Sequence, residues 1–197
     1  MDCKRRHPLR WSLIAAALTV IGSSCHELPK QPGRGVVVLQ EGRLAELNPA
    51  DVAVAPIEVV AGVKAPLDRL RVAIAEGLPA RQYTPLSLDF IDSRVVEATY
   101  SYGAGGEEAV CQVTVYAWDE RYWDTGNSIE VDIELSLIDP SAPDGPTLWT
   151  GRLTRRIDVT EYQNTEIEAK LYEVAIEQVA HELLSALPSR GTSAVRG

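Results

Sequence analysis

The chain has 197 residues, 45% of them hydrophobic and 24% charged, with a formal net charge of −9 at pH 7. Those values suit one globular domain with a real core plus a targeting segment. They exclude nucleic-acid binding, which needs clustered Lys and Arg against phosphate, and leave covalent attachment as the route to a membrane surface.

Met1 to Cys25 reads as an export signal. Lys4, Arg5, Arg6 and Arg10 precede the apolar run Trp11 to Ile21, and the small residues Gly22, Ser23 and Ser24 follow. The run is too short to span a bilayer. Removing the segment takes away those four cations and one anion, Asp2, so the charge falls from −9 to −12.

Cys25 directly after small residues resembles the bacterial lipobox, whose thiol is acylated and becomes the new N-terminus. That family pattern prefers Leu or Val where Gly22 stands. Gly22 and Ser24 equally suit ordinary signal peptidase, so simple cleavage with a Cys25–Cys111 disulfide is the alternative. By resemblance to enterobacterial lipoproteins, His26 in place of a retention Asp implies the outer membrane.

Residues 26–50 read as a tether and a short strand. His26 to Gly35 is rich in Pro and Gly, and Val36 to Leu39 is β-prone. From Asp51 to Pro188 the pattern is that of a single domain. Asp51 to Val60 is a strand that Pro56 places at an edge or a bulge. Pro66 to Glu76 is a helix, with Leu67, Leu70 and Ile74 on one face and Gly77 and Pro79 as its stop. Tyr83 to Phe90 reads as a strand, and Val95 to Tyr102 with Glu108 to Trp118 as a hairpin over Gly103-Ala104-Gly105-Gly106.

Ile129, Val131, Ile133, Leu135 and Leu137 alternate with polar residues, which predicts a strand buried on one face. A turn over Pro140 to Pro146 leads into Leu148 to Val159. Pairing about that turn sets Glu134 opposite Arg152 and Glu130 opposite Arg156, which fixes register without invoking catalysis. A final helix spans Thr165 to Leu187, with Thr165 and Glu168 as a capping box and Tyr172, Ile176, Val179, Leu183 and Leu187 as its apolar stripe. Residues 189–197 read as a disordered tail. The expected fold is α/β (α+β): a mixed, mostly antiparallel sheet of about 5–6 strands with two helices on one face.

Candidate chemistry is sparse. A hydrolytic triad would have to use His181, on a helix surface, and no nucleophile elbow is present. The cysteine and histidine spacing builds no metal site, and Asp119, Glu120 and Asp124 lack the spacing of a calcium loop. The glycine cluster is followed by Glu107 and Glu108, not by a phosphate-binding helix. No catalytic residue, metal or cofactor is expected. A carboxylate-dependent hydrolase or a small-ligand binder is the competing class.

Trp118, Asp119, Arg121, Tyr122, Trp123 and Asp124 gather aromatic and Arg side chains of the kind that dominate protein interfaces, and form the candidate partner-binding segment. Packing of Trp118 and Trp123 against the end of the sheet is the alternative.

The order of these elements, with Tyr116-Ala117-Trp118-Asp119, a strand ending Leu137-Ile138-Asp139, and Leu148-Trp149-Thr150-Gly151, resembles a group of small periplasmic domains. The group comprises the TolB N-terminal domain, the curli-secretion lipoprotein, the penicillin-binding-protein activator and the meningococcal GNA-type lipoproteins. The resemblance spans about Asp51 to Leu187. It implies a non-enzymatic, lipid-anchored module on the periplasmic face of the outer membrane that binds an envelope protein, and it leaves homo-oligomer formation open. Such domains carry a second helix between the Tyr83 and Trp118 strands, where Ser93 to Gly106 here reads as strand and turn.

In a Gram-negative host, the wild type is expected to take up labelled fatty acid and partition into detergent, and Cys25→Ala to do neither. An unlabelled wild type would return the reading to a cleaved, soluble protein.

Overall fold

The computed structural model describes residues 35–97, 101–141, 146–162 and 170–191. Cys25, the tether before Gly35, the proposed capping box at Thr165 and Glu168, and the tail from residue 192 lie outside the described residues.

Seven strands form one sheet in the order β1-β7-β6-β5-β2-β4, with β3 paired to β5 off that path. β1 is Val37–Glu41, β2 Asp51–Val54, β3 Glu58–Val59, β4 Thr84–Pro85, β5 Ala109–Asp119, β6 Ser128–Ile138 and β7 Thr147–Asp158. The three ladders β1/β7, β7/β6 and β6/β5 are antiparallel, and the short ladders to β2, β3 and β4 are parallel. The class is therefore the expected mixed, mostly antiparallel α/β sheet.

β6 shows why. Its five odd-numbered apolar residues are buried from Ile129 to Leu137, and the polar residues between them are half-buried on the other face. Register with β7 sets Glu134 opposite Arg152 and Glu130 opposite Arg156, as the charge pattern requires. The guanidinium of Arg152 nevertheless leans diagonally to Asp132, 2.7 Å away, and stays 3.9 Å from Glu134.

Pro56 interrupts its strand as anticipated. Val54 pairs with Cys111 and Glu58 with Thr114, so four residues on one side advance against three on the other. Gly151 explains the Leu-Trp-Thr-Gly motif: a Cβ there would lie 2.3 Å from Cη2 of Trp149, whose indole crosses it. The other half of the motif is local too, since Asp139 accepts the backbone N–H of Ser141 to turn the chain out of β6.

Helix α1 is a single turn, Leu44–Leu47, while α2 (Leu67–Gly77) and α5 (Leu171–Ser185) pack together on the apolar face of the sheet. Two expectations are corrected between β2 and β5. Tyr83 to Phe90 is not a strand beyond Thr84–Pro85. The described end of the supposed Val95 hairpin strand, residues 95–97, belongs to helix α3, Leu88–Val96, and its cap. Ser87 precedes α3, Asp89 favours its first turn, and Leu88, Ile91 and Val95 share a side, with Ile91 fully buried. The second helix of the resembling domains is thus present, and the expected count of two helices rises accordingly.

The connections β2-α2-β4 and β4-α3-β5 run in opposite directions along the sheet. Right-handed crossovers then place α2 and α3 on opposite faces. Ala53, Val110 and Ile91 are fully buried yet stand apart from the main core, as a separate layer under α3 requires. Arg71 of α2 joins the two layers. Its Nε and Nη2 donate to the Val54 carbonyl at 3.1 and 2.7 Å, and Nη1 donates to Asp92 of α3.

Cys111 is fully buried in the main core, and burial pushes its thiol up to about 12. A disulfide to it would require opening that core. The expected tail begins as ordered chain: the Arg190 amide donates to the Arg81 carbonyl and the Gly191 amide to Asn48.

Arg71→Ala strands a buried carbonyl, so denaturant melts are expected to show a loss of about 2–4 kcal/mol. Arg69→Ala, which removes a largely exposed pair with Glu173, is expected to cost no more than about 1 kcal/mol. Equal effects would show that the Val54 contact contributes little.

Candidate functional site

The candidate segment follows a bulge in β5. Val115 faces Ile133 and Ala117 faces Asp132, so one extra residue at Tyr116 reverses the alternation and turns Trp118 toward the apolar face. Trp118 is buried, and its Nε1 donates to Glu120 Oε1 at 2.8 Å. The hydroxyl of Tyr172, from the first turn of α5, donates to the same oxygen. Trp123 opens the one-turn helix α4 (Trp123–Gly126) and meets the Tyr172 ring edge-on, with centroids 5.2 Å apart and planes at 88°. Trp118, Glu120, Trp123 and Tyr172 together hold the turn against α5.

The rest of the segment faces outward. Asp119 accepts the Arg121 backbone N–H at 3.0 Å and its Nε at 2.7 Å, and these bonds hold its carboxyl below the usual range. The exposed ring of Tyr122 carries the Arg156 guanidinium 4.4 Å from its centroid and that of Arg121 at 5.9 Å. Nε and Nη2 of Arg156 also donate to the buried hydroxyl of Ser128 at 2.9 and 2.6 Å. Asp124 is exposed on α4.

The same chemistry continues along the open face of the sheet. Arg152 lies 4.2 Å from the Tyr116 centroid and donates to both oxygens of Asp132 at 2.7 and 2.9 Å. Thr154 donates to that carboxylate as well. Two Tyr–Arg stacks thus stand side by side on a polar face.

Of the six predicted residues, then, Trp118 and Trp123 are packing residues. Asp119 and Arg121 fix the turn, while Tyr122 and Asp124 are displayed. Glu120 and Tyr172 complete the anchor, and Arg156, Arg152 and Tyr116 complete the face. Tyr116 and Glu120 belong to the same aromatic stretch of sequence, whereas Tyr172, Arg152 and Arg156 were not predicted as site residues, although the pairing of β6 with β7 already placed both arginines on the polar side.

His181 is exposed on α5, and among the described residues no group of three His, Cys, Asp or Glu could hold a metal ion. A groove of about 410 Å³ runs between α2 and α5 past Asp68, Val72, Glu76, Ile176 and Glu177. It is open to solvent, and Arg69 and Glu173 close on each other within it at 2.6 Å.

Fold and site together define an open-faced α/β module that displays a stacked Tyr–Arg surface beside an aromatic anchor. No family model matches the chain, and no curated protein matches it. Solved structures of similar fold include the lipoprotein GNA1162 from Neisseria meningitidis, at 17% identity and TM-score 0.48 over 67% of this chain and 99% of that one. A PelC dodecamer from Paraburkholderia phytofirmans matches at 19% and 0.48, covering 79% and 98%. Protein XCC0632 from Xanthomonas campestris, of family DUF330, matches at 12% and 0.40, covering 68% and 81%. These are likenesses of chain path alone.

Burial raises Tyr83 and Tyr172 from 10.0 to about 12, helped at Tyr172 by the bond to Glu120. Both phenols then keep their protons in the folded chain while the unfolded chain releases them, so stability should fall as pH rises from about 10 to about 12. Absorbance titration of the phenolates should show Glu120→Gln lowering the titration of one tyrosine. An unchanged curve would remove Glu120 from the account.

Proposed function

We propose that this chain is a lipid-anchored, non-catalytic binding module of the bacterial cell envelope, held through Cys25 at the periplasmic face of the outer membrane. In this reading it belongs with the TolB N-terminal, curli-secretion and penicillin-binding-protein-activator group. It engages an envelope protein through the outward half of the Trp118–Asp124 turn.

The observation that carries the reading is the division of labour within that turn. Buried Trp118 and half-buried Trp123 and Tyr172, with Glu120, fix the backbone, while Tyr122 is left exposed beneath Arg156 and beside Arg121. A rigidly held aromatic with stacked guanidinium groups loses little freedom on binding, which is what an interface hot spot requires. The export signal and Cys25 supply the compartment and the anchor. No helix among the described residues is long and apolar enough to cross a membrane, so the anchor is the attachment this reading needs.

A photo-crosslinking residue at Tyr122 is expected to give a discrete adduct in intact cells, and one at exposed Glu177 to give none. Tyr122→Ala should abolish capture of that adduct's partner while shifting stability by no more than about 0.5 kcal/mol. Loss of folding on alanine substitution at Trp123 accords with its anchoring role. Loss of folding in the Tyr122 variant would sink the interface.

A further inference from the structure

We propose that the crevice at the C-terminal end of β2 binds a small organic cation with an apolar body. The parallel strands lie in the order β4-β2-β5, and the crossovers through α2 and α3 leave in opposite directions. Those crossovers leave from β2 and β4, and beside β5 the chain steps from β2 through the Pro56 bulge into β3, next to the C-terminal end of α3.

A crevice of about 300 Å³ is found at that place, within the range of small-ligand sites. Its walls include Pro56, Ile57 and Val95, the last half-exposed at the end of α3. At one side the Gln112 side-chain amide donates to the hydroxyl oxygen of Tyr102, and Glu58 is also part of the lining. The bulge at Pro56 belongs to the opening, because it separates β3 from β2 at the point where the crevice lies.

Charge selects the ligand class. Among the described residues the lining holds one carboxylate and no Lys, Arg or His. The nearby guanidinium of Arg71 is committed to the Val54 carbonyl and to Asp92. The connection from Ala55 to Pro66 has a single glycine and none of the spacing of a phosphate loop. An anion would therefore meet Glu58 without a compensating positive charge in the described lining. A protonated amine would meet a carboxylate while its apolar body covers Pro56, Ile57 and Val95. This site shares no residue with the Tyr122 face, so either can fail without the other.

The test uses the intact protein with two probes of equal shape and opposite charge, phenethylamine and 3-phenylpropionate, followed by nitrogen-15 chemical shifts. The amine is expected to shift the Gln112 side-chain amide and the Ile57 and Val113 backbone amides, and the acid to bind about ten-fold more weakly or worse. Val95→Trp, which fills the crevice from a half-exposed position, should weaken the amine about ten-fold or more. Glu58→Gln, at an exposed position, should bring amine and acid within about two-fold of each other. Absence of shifts at Gln112, equal binding of both probes by the wild type, or amine preference surviving Glu58→Gln would each overturn the proposal. Should Val95→Trp fail to fold, the Glu58 comparison decides alone.

Discussion

The contact between Arg71 and the Val54 carbonyl is the constraint on which the parallel half of the molecule depends. β4 accompanies β2 for two residue pairs and then departs, which leaves the Val54 carbonyl at a strand edge inside the protein. A buried carbonyl without a donor would cost about 1–3 kcal/mol. The guanidinium supplies two donors and keeps a third for Asp92, on the helix that covers the other face. One side chain thus completes a strand edge and ties together the two crossovers.

The antiparallel half follows another logic. β6 is central, and its two-residue period assigns one face to the helices and the other to water. The helix-side face is a dry core in which Cys111 and the large side chains are sealed. The open face is held by stacked and hydrogen-bonded arginines, which rigidify polar side chains without removing them from solvent. A single bulge at Tyr116 connects the two regimes. It sends Trp118 into the core and leaves Tyr116 outside, so the turn that follows is anchored on one side and displayed on the other.

Much of this was legible in the sequence where the cause is local. Strict alternation in β6, the charge pairs that fix its register on β7, the helix after Pro66, and the interruption at Pro56 all follow from neighbouring residues. Helix α3 did not, because Tyr83 to Tyr102 mixes β-prone and aromatic residues whose helical spacing is short and weak. What secures α3 is tertiary: burial of Ile91 and the grip of Arg71 on Asp92. The candidate site was half legible for the same reason. The aromatic turn stands out, but Tyr172 meets Glu120 across 52 positions of sequence. No spacing rule connects them. The bulge that reorients Trp118 likewise leaves no mark in a pattern of alternating apolar residues.

The outermost strand, β1, sets the order in which the sheet can be completed. Among the described strands it pairs with β7 alone, Val37 against Arg152 and Glu41 against Trp149, so its partner leaves the ribosome long after it does. Until then a Val-Val-Leu stretch travels without a ladder, and loop closure of this length is slow. The stretch is exposed even in the finished fold. The interval before β7 arrives is therefore when this chain has most need of a holding chaperone, and β1 is the segment such a chaperone would cover.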